Sequence, residues 1–183
     1  MRHTFIAYCS VMFLITSCQK PKARTPIKAA SGSFIEASVT RNKLIYKQEK
    51  ALIEQMIRTD SLRNYVSTAS GFWYTLTQKQ STGSTQKPQV GDLITFTYNV
   101  KDLEGNIIVS AKENGVQNYR VDQSKQDLIS GIRDGIKLLN LGEKATFIFP
   151  SYKAYGYYGI ENKLGTNQPI TSDITLLSIN QNQ

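Results

Sequence analysis

The stretch VGDLITFTYNVKDLEGNIIVS, residues 90–110, contains the clearest structural pattern in the chain. Apolar and polar side chains alternate from Leu93 to Val100, which is the period of a β-strand with one buried face. Asp102 to Gly105 has the composition of a tight turn, and Asn106 to Ser110 is a second β-prone segment. The stretch therefore predicts a β-hairpin whose long strand turns one face to the core.

Segments on both sides extend this hairpin into a sheet. Strands are predicted at residues 72–77, 145–149 and 174–179, with a short extended piece at 119–121. Ser124 and Asp127 have the form of a capping box, and apolar residues from Leu128 to Leu139 recur at helical spacing. Hairpins rather than βαβ units join the strands, so we predict an antiparallel α+β domain with five strands and one short helix. Residues 150–172 lack clean periodicity, and so long a loop is usually functional or mobile.

Rare residues exclude several kinds of chemistry. The 183-residue chain has one histidine, His3, and two cysteines, Cys9 and Cys18. Everything after residue 18 therefore lacks the groups needed for Ser-His-Asp or Cys-His catalysis, for zinc sites built on His or Cys, and for thiol redox chemistry. An enzyme in this region must use carboxylates, tyrosines, lysines, backbone amides or the shape of a pocket.

The positive charge lies mainly outside the predicted domain. The chain carries a formal charge of +8, of which residues 18–60 contribute a net +5 and residues 61–183 only +2. A basic excess of this kind can indicate nucleic-acid binding. Because the basic residues avoid the domain, we do not expect a nucleic-acid partner.

The N-terminus has the features of an export signal. An apolar run from Phe5 to Ile15 follows Arg2, and it is too short to span a bilayer as a helix. The string Ile15-Thr16-Ser17-Cys18 resembles a bacterial lipobox, which implies a signal peptide over residues 1–17 and a lipid on Cys18. An ordinary signal peptide with an incidental cysteine is the alternative. Residues 18–37 are predicted to be a flexible tether, and the expected location is the cell envelope, with the protein anchored to a membrane (the outer membrane is expected) and facing the periplasm.

An amphipathic helix is predicted over residues 39–58, within an extension that covers residues 38–70. Apolar residues such as Ile45, Leu52 and Met56 recur every three to four positions, and lysines lie largely on the other side. The apolar face must pack against something. Its own domain is the first expectation, followed by a dimer interface or a partner groove, and then by a membrane surface.

The motifs of residues 72–180 resemble a known family. VGDLITFTY, EGNIIVS, SKQDLISGIRDGI, LGEKATFIFPSYKAYG and QPITSDITL occur in an order similar to that of FKBP-type peptidyl-prolyl cis-trans isomerases. The resemblance implies the FKBP fold for residues 71–183, an antiparallel five-stranded sheet wrapped on one short helix. The preceding signal, tether and helix, together with GFWYTL, are similar to membrane-anchored, gliding-motility-associated lipoproteins of the Bacteroidetes group.

The resemblance also assigns roles to particular positions. It implies an apolar slot for the proline ring, a backbone amide of the helix entry that binds a substrate carbonyl, and a tyrosine hydroxyl as a second donor. The residues at the family's functional positions are Tyr98, Ile108, Val109, Tyr119, Leu128, Ile129, Ile132, Tyr155 and Leu176. Core packing is the alternative for those on apolar faces, Tyr98, Ile132 and Leu176 among them.

Three positions depart from the family pattern. Val109 stands where the family usually has aspartate, Ile132 replaces the tryptophan floor, and the Ile-Pro-Pro segment is reduced to residues 168–170. Tyr157 and Tyr158 make the neighbouring loop rich in tyrosine. Because the family aspartate is thought to assist through its carboxylate, reduced activity is an open expectation.

Prolyl isomerisation suits a domain without histidine or thiol. No bond is broken, and the barrier of about 18–20 kcal/mol is the loss of amide resonance as the bond twists. An apolar pocket favours the less polar twisted amide, so neither a metal nor a cofactor is expected. The resemblance therefore implies an isomerase acting on Xaa-Pro segments of envelope proteins. The alternative is a binding module that holds such segments without turnover.

Overall fold

A computed structural model describes residues 31–80, 85–124 and 127–181. The predicted signal peptide, Cys18 and the first part of the tether, residues 18–30, lie outside these described residues. The chain divides into two compact units, Met1–Ala37 and Ser38–Gln183. None of the described helices is both long and apolar enough to cross a membrane.

The second unit contains the sheet and nearly all of the secondary structure. Helices lie at α1 (Ser31–Thr59), α2 (Ala111–Asn114) and α3 (Ser130–Ile136), with a 3₁₀ turn at Ser151–Lys153. The strands are β1 (Val66–Ser67), β2 (Trp73–Gln78), β3 (Leu93–Tyr98), β4 (Val100–Lys101), β5 (Ile107–Val109), β6 (Gln117–Arg120), β7 (Lys144–Phe149) and β8 (Ile170–Asn180).

All strand pairs in this sheet are antiparallel, as the sequence predicts. The order is β1-β2-β7-β8-β3-β6, and β4 pairs with both β5 and β8. The described residues form eight strand segments rather than five, because β1 and β6 join the edges and the predicted long strand divides into β3 and β4. The last strand also begins at Ile170, earlier than predicted.

Strand β7 is covered on both faces. Phe147 and Phe149 join the main core, whereas the intervening Ile148 packs with Ile53 of α1 and Trp73 of β2. Successive side chains of a strand point to opposite faces, so one apolar run serves two cores. Helix α1 therefore packs on its own domain through Ile53, with Met56 and Ile57 beside it, which confirms the first of the three expectations. Leu52, predicted on the packed face, is instead 55% exposed.

The bounds of α1 differ from the prediction. The helix begins at Ser31, so residues 31–37 are helical and do not belong to a flexible tether. No proline occurs between Pro26 and Pro88, and nothing in the backbone therefore stops the helix from extending toward its N-terminus. The predicted extension beyond the helix contains β1, which pairs with β2.

The helix of the domain is shorter than predicted. Helix α3 begins at Ser130 with Ile129 at the N-cap, and it ends at Ile136. The capping-box prediction is wrong, because the Ser124 hydroxyl accepts a hydrogen bond from Arg120 N (2.9 Å) and lies six residues before the helix. Leu128 and Ile129 consequently lie in the entry segment and not in the helix.

Candidate functional site

The nine predicted site residues all contact one hydrophobic core cluster. Tyr98, Tyr119, Leu128, Ile132 and Leu176 are buried members of the cluster. The other four, Ile108, Val109, Ile129 and Tyr155, are partly buried and pack against it. Residues from β3, β5, β6, β8, the α3 entry and the loop after β7 are thereby brought together over a sequence separation of nearly eighty residues.

Strand register places part of this set. Phe96 and Tyr98 lie on the same face of β3, and they pair with Leu176 and Ile174 of β8. Val109 of β5 pairs with Val100 of β4, directly after the end of β3. The period-2 pattern that predicts the strand therefore also decides which side chains reach the site.

The nine residues differ in what a ligand can reach. Tyr119 and Leu176 are fully enclosed, and Ile132 is 1% exposed. Tyr98 and Leu128 keep a small exposed surface, and the four partly buried residues keep more. The three enclosed residues are out of a ligand's reach in this structure, so the accessible surface of the predicted slot belongs to the other six.

Tyr98 and Tyr155 carry the hydroxyl groups of the site. Burial raises the pKa of the Tyr155 phenol well above its ordinary value, and the nearby Tyr98 phenol raises it further. Burial also raises the pKa of Tyr98, and the negative charge of Asp127 adds to this effect. Both phenols are therefore neutral at physiological pH and can donate hydrogen bonds.

The Tyr119 hydroxyl has a structural partner instead. Asp122 N donates to Tyr119 Oη (2.9 Å), and Tyr119 Oη donates to Asp122 Oδ1 (3.3 Å). Asp122 adopts a φ of 57°, so this pair stabilises the turn after β6. Tyr119 thus holds the segment that leads to α3 and does not present its hydroxyl to a ligand.

The entry to α3 is a segment that ends at Ile129, the N-cap residue. The Ile129 carbonyl accepts hydrogen bonds from Ile132 N (3.1 Å) and Arg133 N (3.2 Å), which starts the helix. Ile129 itself is extended, with φ −56° and ψ 143°. Its N–H belongs to the segment that precedes the helix, and its role as a carbonyl-binding donor stays a prediction.

Two glycines let α3 approach β7 closely. A Cβ atom on Gly131 would lie 2.6 Å from Phe149 Cδ1 and 2.9 Å from the Lys153 carbonyl oxygen. A Cβ atom on Gly135 would lie 2.9 Å from Phe147 Cε1. Small residues at these positions therefore fix the distance between the helix entry and the loop that carries Tyr155.

That loop is tied by its own backbone. Gly156 N donates to the Ser151 carbonyl (2.9 Å), and Asn167 N donates to the Gly156 carbonyl (2.7 Å). Beyond Tyr155, the rings of Tyr157 and Tyr158 meet edge to face with centroids 6.0 Å apart, and both are exposed. The long segment without periodicity is thus an ordered loop with two aromatic side chains in solvent.

A comparison with protein families shows which family the domain belongs to. Residues 84–177, about half of the chain, match the FKBP-type peptidyl-prolyl cis-trans isomerase family. The chain belongs to this family. All nine predicted residues of the FKBP domain lie within the matched range.

Individual relatives agree with this membership. A curated relative named as an FKBP-type isomerase FkpA, from Neisseria meningitidis, is 30% identical over 143 residues, 78% of this chain and 50% of its own length. FK506-binding protein 1 of Saccharomyces cerevisiae is 30% identical over 93 residues, 51% of this chain and 81% of its own. This chain thus spans about half the length of the FkpA relative.

Solved structures agree on the fold. A peptidyl-prolyl cis-trans isomerase from Pseudomonas syringae aligns with a TM-score of 0.58 at 22% identity, covering 76% of this chain and 96% of its own. FkpA from Escherichia coli aligns with a TM-score of 0.57 at 18% identity, covering 98% of this chain and 82% of its own. The FKBP fold predicted from the motifs is therefore confirmed.

The carboxylates near the FKBP site differ from the expected pattern. Val109 leaves the usual aspartate position apolar. Asp173 is engaged elsewhere, with Lys101, Thr146 and Asn99. Asp127, which the sequence predicts as part of a capping box, is the carboxylate whose negative charge raises the pKa of Tyr98. Sequence reasoning missed this influence because it depends on the path of the chain between β6 and α3.

Proposed function

We propose that this FKBP domain is a catalytically competent peptidyl-prolyl cis-trans isomerase acting on Xaa-Pro segments. The observation that carries the proposal is the meeting of two neutral tyrosine hydroxyls, from Tyr98 and Tyr155, with apolar walls at one site of the family-matched region. Such a site combines what prolyl isomerisation needs, namely a surface of low polarity and a few fixed donors.

Each part of the site has a physical task. Ile108, Val109, Leu128 and the Tyr98 ring offer the proline ring an apolar surface, which favours the twisted amide over the planar one. The Ile129 N–H and the Tyr155 hydroxyl hold flanking carbonyl groups, so that rotation is confined to the Xaa-Pro bond. No proton transfer is involved, so the mechanism needs neither a histidine nor a thiol group.

A protease-coupled assay on an Xaa-Pro peptide tests this function, with the protein purified in mild detergent. We expect a rate above the uncatalysed one that falls in Tyr98→Ala. A rate equal to the uncatalysed one, and unchanged by the substitution, would refute the proposal.

The second candidate is a binding module without turnover, and Val109 is the observation that favours it. Here a proline-containing peptide binds while catalysis is absent. Val109→Asp restores the carboxylate of the family, and on this candidate it raises the isomerisation rate, whereas Val109→Thr, a control of similar size without the charge, does not. Equal rates in both variants would count against a role for the missing carboxylate.

The envelope context is a separate proposal. The lipobox-like string before Cys18 supports a lipid-anchored protein that assists folding of envelope or gliding-motility proteins. Labelled palmitate should enter the wild-type protein and not Cys18→Ser, which should leave the membrane fraction. Incorporation that is unchanged by Cys18→Ser would contradict lipidation at this residue. A dimer through α1 stays a prediction.

A further inference from the structure

A buried carboxylate links the N-terminal helix to the loop that carries Tyr155. Glu49 lies on α1 and is 4% exposed. Its Oε2 accepts a hydrogen bond from Ser151 N (2.8 Å), and its Oε1 accepts one from Ser151 Oγ (2.5 Å). Both oxygens of one side chain are therefore used on a single residue, 102 positions away.

Ser151 is the residue on which the loop turns. Its carbonyl accepts hydrogen bonds from Ala154 N (2.9 Å) and Gly156 N (2.9 Å), which closes the turn around Tyr155. The Glu49 carboxylate is therefore linked through Ser151 to Ala154 and Gly156, the two neighbours of Tyr155. Charge-assisted bonds to a buried carboxylate are among the stronger ones in proteins, so the origin of the loop is held firmly.

A second contact joins the same two elements. The rings of Tyr46 on α1 and Tyr152 in the loop meet edge to face with centroids 5.4 Å apart. The Tyr152 hydroxyl donates to the Gly71 carbonyl (3.0 Å). Gly71 has a φ of 83°, and a Cβ atom there would collide with the Tyr152 hydroxyl. The hydrogen bond of Tyr152 thus depends on a glycine in the turn between β1 and β2.

An inward-facing carboxylate needs an explanation on an amphipathic helix. Burying a charge costs free energy, and packing alone is better served by an apolar residue at this position. Ile53, one turn further along α1, already anchors the helix against Trp73 and Ile148. What Glu49 adds is a directional tie to the loop.

We propose that Glu49 is a positioning residue for the isomerase site, and that α1 is therefore a working part of that site. The proposal rests on the proposed function. Glu49 touches no substrate and acts through Ser151, by fixing where the Tyr155 hydroxyl stands relative to the helix entry.

The experiment compares Glu49→Ala and Glu49→Gln with Glu54→Gln. Glu54 is a half-buried glutamate on the same helix that pairs with Lys50. Glu49→Ala is expected to lower kcat/KM by on the order of tenfold, because misplacing a donor is costly. Glu49→Gln keeps one acceptor oxygen, so its kcat/KM should fall less. Glu54→Gln should leave kcat/KM unchanged. Combined with Ser151→Ala, Glu49→Gln should show losses that are not additive.

The single tryptophan separates positioning from loss of structure. Trp73 is buried against Ile53, so its emission reports whether α1 remains docked. We expect unchanged emission in Glu49→Gln together with reduced kcat/KM. Leu139→Ala, a destabilising control at a fully buried position beyond the C-terminal end of α3, should lower stability with little change in kcat/KM. A wild-type kcat/KM in Glu49→Ala, or equal losses in Glu49→Ala and Leu139→Ala, would overturn the proposal.

A readout that does not depend on catalysis keeps the two proposals distinguishable. Amide hydrogen exchange of Gly156 reports its bond to Ser151 directly. Faster exchange in Glu49→Gln than in Glu54→Gln supports positioning even where the wild-type protein proves inactive. An unchanged exchange rate of the Gly156 amide in Glu49→Gln would refute the positioning role of Glu49, whatever the activity of the protein.

Discussion

Tyr98 and Tyr155 have the same side chain but different positions in the site. Tyr98 is the last residue of β3, with its ring in the core cluster and its backbone oxygen bound by Asn114 Nδ2 (3.0 Å). Tyr155 comes from a loop that is fastened at both ends. The first supplies an apolar surface, and the second supplies a hydroxyl whose position depends on its surroundings.

Tyr155→Phe should separate the hydroxyl from the ring. The substitution keeps the packing and removes the donor, so we expect kcat/KM to fall by roughly tenfold, the equivalent of one hydrogen bond of about 1.4 kcal/mol. The peptide assay measures this, with Tyr158→Phe as the matched control, because Tyr158 is 91% exposed. Equal rates for the two variants would remove Tyr155 from the mechanism.

At the scale of elements, the approach of α3 to β7 decides the geometry of the site. Gly131 and Gly135 face Phe149 and Phe147 with no space for a methyl group. The rings of Phe147 and Phe149 are themselves stacked, with centroids 5.6 Å apart, so they cannot move independently. The helix entry at Ile129 therefore keeps its position because the residues two and six positions further along the chain are glycines.

Gly131→Ala should destabilise the domain by about 1–3 kcal/mol, since the added methyl group overpacks a filled core. Urea unfolding followed by Trp73 fluorescence measures the change. Gly165→Ala is the control, because a Cβ atom there comes no closer than 3.6 Å to a flexible glutamine. A Gly131→Ala protein as stable as Gly165→Ala would show that α3 can shift without cost.

At the scale of the whole molecule, Asp173 joins three strands. Its carboxylate accepts hydrogen bonds from Lys101 Nζ (2.5 Å), Thr146 Oγ1 (2.6 Å) and Asn99 Nδ2 (3.1 Å). Burial by itself would raise the pKa of Asp173, but these donors together outweigh it and lower the pKa from 3.8 to about 2. The ionised form is therefore the one that the folded state favours.

The lowered pKa of Asp173 predicts that the protein becomes less stable at low pH. Because the folded-state pKa lies below the unfolded one, the contribution is complete above about pH 4 and is lost as the pH falls through about 2. The shift corresponds to about 2 kcal/mol. Urea unfolding between pH 2 and pH 6 measures it, and Asp173→Asn should remove that part of the pH dependence. An identical pH profile in the variant would contradict the assignment.

The sequence was most informative where local pattern and core packing agree. The alternation from Leu93 to Val100 predicted a strand and the face that its side chains occupy, and the structure has both. The capping box at Ser124 was wrong, because the hydroxyl found a nearer backbone partner at Arg120 N. The tether was wrong from residue 31 onward, since a helix without a proline can extend beyond its amphipathic portion.

Other features had no local signal. Glu49 is indistinguishable in sequence from Glu54, which is only half-buried, and only the packing of α1 against β7 brings Glu49 to Ser151. Nor does sequence spacing show that Tyr119 and Leu176 are fully enclosed. These facts depend on contacts between residues that are far apart in the chain.

Strand periodicity, a property of the sequence by itself, determined the fold class, and the order of the motifs carried the resemblance to the family. The absence of histidine and thiol groups after residue 18 excluded other kinds of chemistry. The tertiary structure alone decided which site residues are accessible, which carboxylate acts on Tyr98, and that α1 holds the Tyr155 loop. The reason is physical: a strand or a helix follows from neighbouring residues, whereas burial and the positions of hydrogen-bond partners exist only once distant segments have packed together.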